Sequence, residues 1–280
     1  MTEFEKHELN RLSWNAATVA HNRHKGDQAA FFKNGGNSLF PEEMRLLGDI
    51  RQQTLLHLQC NAGQDSLSIA KHLGAKVTGV DISDEAIQFA QDLAKESEIE
   101  ARFIRDDIYH FFLKNSEEFD LVFASYGAIP WLSNIKEWGK GIANCLKAGG
   151  KMVLVESHPM TMALDEQWQI RYDCMGGTAT LWEEGIGDYV AASGNQLNLD
   201  GETQAEVFKN PHPVYEYAWS LSDVMMALIQ AGLSIEQFEE YDYSNGWKPF
   251  PDLIEADHRQ NHLPEGKARI PLMYGLVARK

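Results

Sequence analysis

This chain of 280 residues has little cysteine, no long apolar run and no cluster of basic residues. Its three cysteines, Cys60, Cys145 and Cys174, are too few for a disulfide framework and lack the CxxC spacing of a zinc site. Cys60 falls in a turn and Cys145 on an apolar helix face, so both are expected to be buried thiols. No apolar stretch reaches membrane-spanning length, and the opening MTEFEKHELNRL carries charges where a signal peptide has its apolar core. The expectation is a cytoplasmic protein with no membrane partner. Lys and Arg number 25 against 41 Asp and Glu, a formal net charge of −16. A phosphate backbone would be repelled by such a surface, which argues against nucleic acid and leaves a neutral or cationic small molecule as the expected partner. A hydrophobic content of 44% and a charged content of 24% are ordinary for a globular chain able to bury a sizeable core.

What is present centres on residues 54–65, TLLHLQCNAGQD. Leu55, Leu56 and Leu58 make a short apolar run of the kind found in a parallel strand covered on both faces. Cys60, Asn61, Ala62 and Gly63 then form a tight turn. With no Cβ, Gly63 would let the backbone approach a ligand, and a helix opening at about Gln64 would aim its free N–H groups at the same place. About twenty residues on, Asp81 closes a second apolar run, where a nucleotide-binding βαβ unit places a carboxylate for ribose hydroxyls.

The rest of the first half alternates strand and helix signals, which implies a parallel sheet. Strands are expected at 76–80, 101–105, 119–124 and 151–156. Ser83 caps a helix striped by Ile87, Ala90 and Ala94, and Gly149 with Gly150 should end the amphipathic helix over 134–146. After His158 the pattern breaks for about sixty residues rich in aromatics and glycine, with a hairpin turn at Asp200 and Gly201. A helix through Leu221 and Leu228, a strand through Ile235 and Phe238, a polar, turn-rich 244–270 and a last apolar strand complete the chain.

LLHLQCNAG, GVDISDEAI, FIRDDI, FDLVFASYGAIPWL and LKAGGKMVLVE, in that order, resemble the motifs of class I S-adenosylmethionine-dependent methyltransferases over about residues 54–156. One departure is material: His57, Gln59 and Asn61 stand where the family usually has an acid and two further glycines. The resemblance implies an α/β, Rossmann-like, seven-stranded and mostly parallel sheet with a C-terminal antiparallel hairpin. It divides the single domain into an N-terminal helical lid (1–45), a cofactor-binding core (46–157), an inserted cap after strand five (158–219) and the C-terminal part of the core (220–280).

It also implies roles. S-adenosylmethionine, leaving as S-adenosylhomocysteine, would be held by the backbone around Gln59, Cys60, Asn61 and Gly63, by Asp81 and Ile82 at the ribose, by Asp107 and Ile108 at the adenine, and by Ser125. Asp106 is a rival for the adenine contact, although a helix N-cap suits it better. Trp14, Trp131, Tyr172 and Trp182 are the expected acceptor contacts, with Asn15, Lys25, Phe31 and Phe32 on the lid. Methyl transfer needs alignment and exclusion of water more than acid–base help, but an acceptor hydroxyl must lose a proton. His158 is the candidate base, with Tyr126 and His21 behind it. His21 and His24 would share a helix face, but no third ligand is evident and no metal is expected. The scarcity of thiols argues against arsenic methylation. The acceptor is expected to be a small molecule methylated at nitrogen or oxygen, and the protein a monomer or homodimer. The competing readings are a nicotinamide-dependent oxidoreductase, for which a full GxGxxG is missing, and a cofactor-binding protein without catalysis.

Overall fold

The computed structural model describes residues 1–192 and 208–280, so the hairpin turn expected at Asp200 and Gly201 lies outside the described residues. Three helices come first: α1 (Glu3–Arg23), α2 (Gln28–Lys33) and α3 (Pro41–Leu47). Strands and helices then alternate through β1 (Thr54–Leu58), α4 (Gln64–Ser68), β2 (Lys76–Asp81), α5 (Asp84–Ser97), β3 (Arg102–Arg105), α6 (Ile108–Lys114), β4 (Phe119–Ser125), α7 (Ile135–Cys145) and β5 (Leu146–Ser157). Past β5 lie α8 (Pro159–Ala163), β6 (Thr178–Trp182), α9 (Tyr189–Ala192) and β7 (Val214–Ala218). The chain closes with α10 (Leu221–Gln230), β8 (Ser234–Tyr241), β9 (Tyr243–Asn245), β10 (Ile254–Ala256), β11 (Gln260–His262) and β12 (Met273–Arg279).

Seven strands form the main sheet in the order β3-β2-β1-β4-β5-β12-β8. β1 to β5 run parallel, and β12 is antiparallel to both its neighbours. The strand order reverses between β1 and β4, which opens a crevice at their C-terminal ends. Leu55, Leu56 and Leu58 are each fully buried because the sheet is covered on both sides, and this explains a continuous rather than alternating apolar run. On one face α6, α7 and α10 pack around Trp138; on the other lie Leu46, Leu47, Ile50 and Ile69. Ser83 caps α5 as expected, its hydroxyl accepting from the Ala86 N–H at 3.1 Å. Among the described residues no helix is long and apolar enough to cross a membrane.

Two expectations need correction. α7 ends at Cys145 without help from glycine; Gly149, at φ +77°, and Gly150 lie inside β5, which begins five residues earlier than expected and pairs irregularly with β4. The polar stretch 244–270 is not simply loop, because β9, β10 and β11 make a small antiparallel sheet there. Strands of three residues are too short to show a period in the sequence.

The α7–α10 contact depends on Gly139, where an added Cβ would lie 2.5 Å from the Ala227 carbonyl oxygen. Backbone cannot yield as a flexible side chain does, so Gly139→Ala is expected to lower unfolding free energy by about 1–3 kcal/mol in urea denaturation. Gly187→Ala, with open space around it, should change stability by less than about 0.5 kcal/mol.

Candidate active site

The crevice holds a cavity of about 240 Å³ formed by the loop after β1, the end of β2, the start of α6 and the turn after β4. Of the residues expected to hold the cofactor, Gln59, Cys60, Asn61, Asp81, Ile82, Asp107, Ile108 and Ser125 all line it. Gly63 does not. Its left-handed φ of +78° starts α4, and a Cβ there would lie 2.7 Å from Ala90 and 2.9 Å from Phe103, so glycine is required by packing against α5 and β3 rather than by a ligand. Gln59 (φ +53°) and Asn61 (φ +47°) take up left-handed backbone that glycine usually provides. The turn therefore keeps its path without the two glycines.

Asp81 fastens that turn. One carboxylate oxygen accepts the Asn61 N–H and the other the Ser83 N–H, both at 2.8 Å. Burial nevertheless pushes its pKa up to about 6, against the pull of these backbone donors. Beside it, Gln59 donates through its amide to the Ala128 carbonyl at 2.7 Å, while its buried Oε1 has no hydrogen-bond partner among the described residues. An orphaned acceptor on the wall and a carboxylate at the strand end both suit a ligand bearing N–H and O–H donors.

At the far end Asp107, not Asp106, is the N-cap of α6 and accepts from the Tyr109 and His110 N–H groups. Its other oxygen pairs with His7 Nδ1 at 2.7 Å. Burial raises its pKa, but the His7 hydrogen bond and charge hold it below the usual carboxylate value. Asp106 bonds His110 and stays off the cavity wall. His7, Asn10 and Trp14, one face of α1, were not all foreseen as wall residues, although their spacing of three and four is legible in the sequence. Trp14 meets Trp131 edge to face at 5.4 Å. Lys25 also lines the cavity, its ammonium pushed down to about 8 by burial despite the charge of Asp65. Phe32 instead packs into the core with α5, and Asn15 bonds Ser83 and Asp84.

The expected bases fare differently. Tyr126 lines the cavity at φ +27°, and its hydroxyl accepts from Asn245 at 2.8 Å. Burial and the charge of Glu43 push that phenol well above its ordinary pKa. His158 lines neither this cavity nor its neighbour: it caps α8, Nδ1 accepting from the Met160 N–H and Nε2 facing Glu240 at 3.0 Å. His21 is likewise off both walls, its Nε2 bonded to the Gly187 carbonyl at 3.0 Å. Both histidines are engaged in holding chain segments together. His24 faces Asp188 rather than a metal set, and no group of three or more metal-ligating side chains occurs among the described residues.

A second cavity of about 620 Å³ lies under the segment that follows β5, and Tyr172 and Trp182 line it. Ile129 and Pro130 face this space, whereas Ala128 and Trp131 of the same turn face the first. Glu156 fixes the turn: its buried carboxylate accepts from the N–H groups of Gly127 (2.6 Å), Ala128 (2.8 Å), Ile129 (3.0 Å) and Ser157 (2.7 Å).

A parallel sheet reversing at β1 and β4, an acid closing β2 and an antiparallel β12 define the Rossmann-like methyltransferase architecture. Comparison with known proteins agrees with it. Residues 55–150 match the family model of a methyltransferase domain. An uncharacterized protein of Haemophilus influenzae is 25% identical over 86% of each chain. The ubiquinone biosynthesis O-methyltransferase of Coxiella burnetii is 29% identical over 106 residues, which is 37% of this chain and 43% of that enzyme. A solved SAM-dependent methyltransferase of Methanosarcina mazei superposes with a TM-score of 0.55 at 19% identity, covering 86% of this chain and 98% of the other, which speaks for the fold. Residues 55–150 match a methyltransferase domain and the fold is that of class I S-adenosylmethionine-dependent methyltransferases; together the matches support an enzyme with S-adenosylmethionine as its cofactor.

The elevated pKa of Asp81 has a consequence for stability. A carboxyl that holds its proton more tightly folded than unfolded contributes stability below about pH 4 that is lost as pH rises through about 6. Relative to Asp81→Asn, the wild type should therefore gain about 1 kcal/mol between pH 7 and pH 5 in parallel urea titrations.

Proposed function

We propose that the enzyme transfers the methyl group of S-adenosylmethionine to a nitrogen or oxygen of a small molecule, as a cytoplasmic monomer or homodimer. The observation that carries this reading is the 620 Å³ cavity beside the nucleoside cavity, with the single turn Ile129–Trp131 between them. A chamber of that size suits a metabolite. The name of the Coxiella relative supports an oxygen acceptor, and the net charge of −16 supports a neutral or cationic one.

When bound, the cofactor supplies a methyl group already activated on a sulfonium. The chain's own residues then hold, orient and exclude water. Asp81 would accept from the ribose hydroxyls, Gln59 Oε1 from an N–H donor of the methionine portion, and Asp107, braced by His7, would face the adenine beside Ile108. Trp14 and Trp131 would close the site against water. Tyr126, of the three expected bases, is the one on the wall; a phenol with a raised pKa orients an acceptor better than it deprotonates one. A neutral amine, which can shed its proton after transfer, makes no further demand on these residues.

Two measurements test this. Asp81→Ala should weaken S-adenosylhomocysteine at least ~10-fold in calorimetry, a loss of about 1.5–3 kcal/mol; unchanged affinity in a folded variant removes the ribose assignment. With radiolabelled S-adenosylmethionine and a metabolite extract, label should enter the dialysable fraction. Label confined to precipitated protein or nucleic acid would overturn the small-molecule reading, and thermal stabilisation by NAD in place of S-adenosylhomocysteine would favour an oxidoreductase.

A further inference from the structure

We infer that the larger cavity takes an organic cation with an apolar body, and that Glu216 is the group that recognises its charge; the inference deepens the assignment of this cavity to the methyl acceptor and rests on it. The walls are aromatic. β6 contributes Trp182, the segment after β5 contributes Tyr172, which meets Trp182 edge to face, the segment after β7 contributes Trp219, and Trp247 closes the side near β9. Indole and phenol faces attract cations and accept apolar surface equally well, and they offer an anion nothing.

The charges on the wall point the same way. Asp165, Glu166, Asp173 and Glu216 are set against Arg171 and Lys248. Glu156 also borders the cavity, but its carboxylate is saturated by four backbone N–H groups and has little left to offer a ligand.

Glu216 is different. It is half-buried on β7, and Oε2 accepts the Trp182 indole N–H at 2.8 Å. Among the described residues Oε1 has no hydrogen-bond donor and no cation lies within ion-pairing distance. Burial pushes its pKa up, opposed by the Trp182 hydrogen bond. A carboxylate held by an indole in an aromatic chamber is costly without a counter-charge. A ligand bearing an ammonium group or another compact positive charge would supply it, whereas a neutral ligand would leave it unpaired. The charge serves recognition, and the atom that is methylated is a separate part of the same molecule.

The probe is benzyltrimethylammonium, titrated by NMR into the whole protein saturated with S-adenosylhomocysteine. The controls are its uncharged carbon isostere neopentylbenzene and the anion phenylacetate. The cation should bind at least ~10-fold more tightly than either control. Glu216→Gln keeps an acceptor for Trp182 and should weaken the cation at least ~5-fold, with the affinity for S-adenosylhomocysteine within about twofold of wild type. Trp247→Leu, on the exposed side of the cavity, should weaken the cation without altering the circular dichroism spectrum. Equal affinity for cation and isostere, or a folded Glu216→Gln with undiminished cation affinity, would overturn the inference. If the cation binds as expected but S-adenosylhomocysteine does not bind the wild type, the cation site stands and the acceptor assignment falls.

Discussion

One carboxylate determines how the two cavities meet. Glu156 closes β5 and gathers four backbone N–H groups, three of them from consecutive residues of the turn after β4. The three turn amides have no strand partner to pair with, and left unpaired they would carry a desolvation cost of about 1–3 kcal/mol each. Bound to a single anion they set the path of the turn, and with it the positions of Ala128 and Trp131 on one side and Ile129 and Pro130 on the other. The partition between the two cavities thus follows from hydrogen-bond satisfaction together with the packing of Ala128 and Ile129 into the core.

The nucleoside side obeys a similar economy. Asp81 accepts the Asn61 and Ser83 N–H groups and still lines the cavity, so the group proposed to read the ribose is also the group that shapes the loop. Asn61 and Gln59 sustain left-handed backbone where glycine is the easier choice, at a cost of about 1–2 kcal/mol per residue. What they return is side-chain chemistry, because the Gln59 amide ties the loop to the Ala128 carbonyl, a bond glycine cannot make.

The core of the fold was legible because its signals are local and periodic. Leu55 to Leu58, Asp81 at the close of β2, Ser83 at an N-cap and the alternation up to β5 each state their role within a few residues. Placement on the cavity wall was legible where it follows from a position at a strand end, as for Asp81 and Ser125. It was not legible where long-range contacts decide. His158 and His21 have suitable chemistry, but Glu240 and Gly187, distant in sequence, draw them away from the cavities. Gly63 reads as a ligand-facing glycine until Phe103 and Ala90 are seen against it. Glu216 had no local signal at all, since its meaning depends on Trp182, a strand partner more than thirty residues earlier in the chain.

Helix α1 covers the site with an unusual inner face. Its buried positions include His7, Asn10, Ser13, Thr18 and His21, and its attachments are polar: His7 to Asp107, Asn10 to both backbone groups of Tyr215, Ser13 to Ile186 and Asn210. These directional bonds, added to the apolar contacts of Ala17 and Trp14 with Ile186, Val214 and Trp131, set the register of the helix over the cavity.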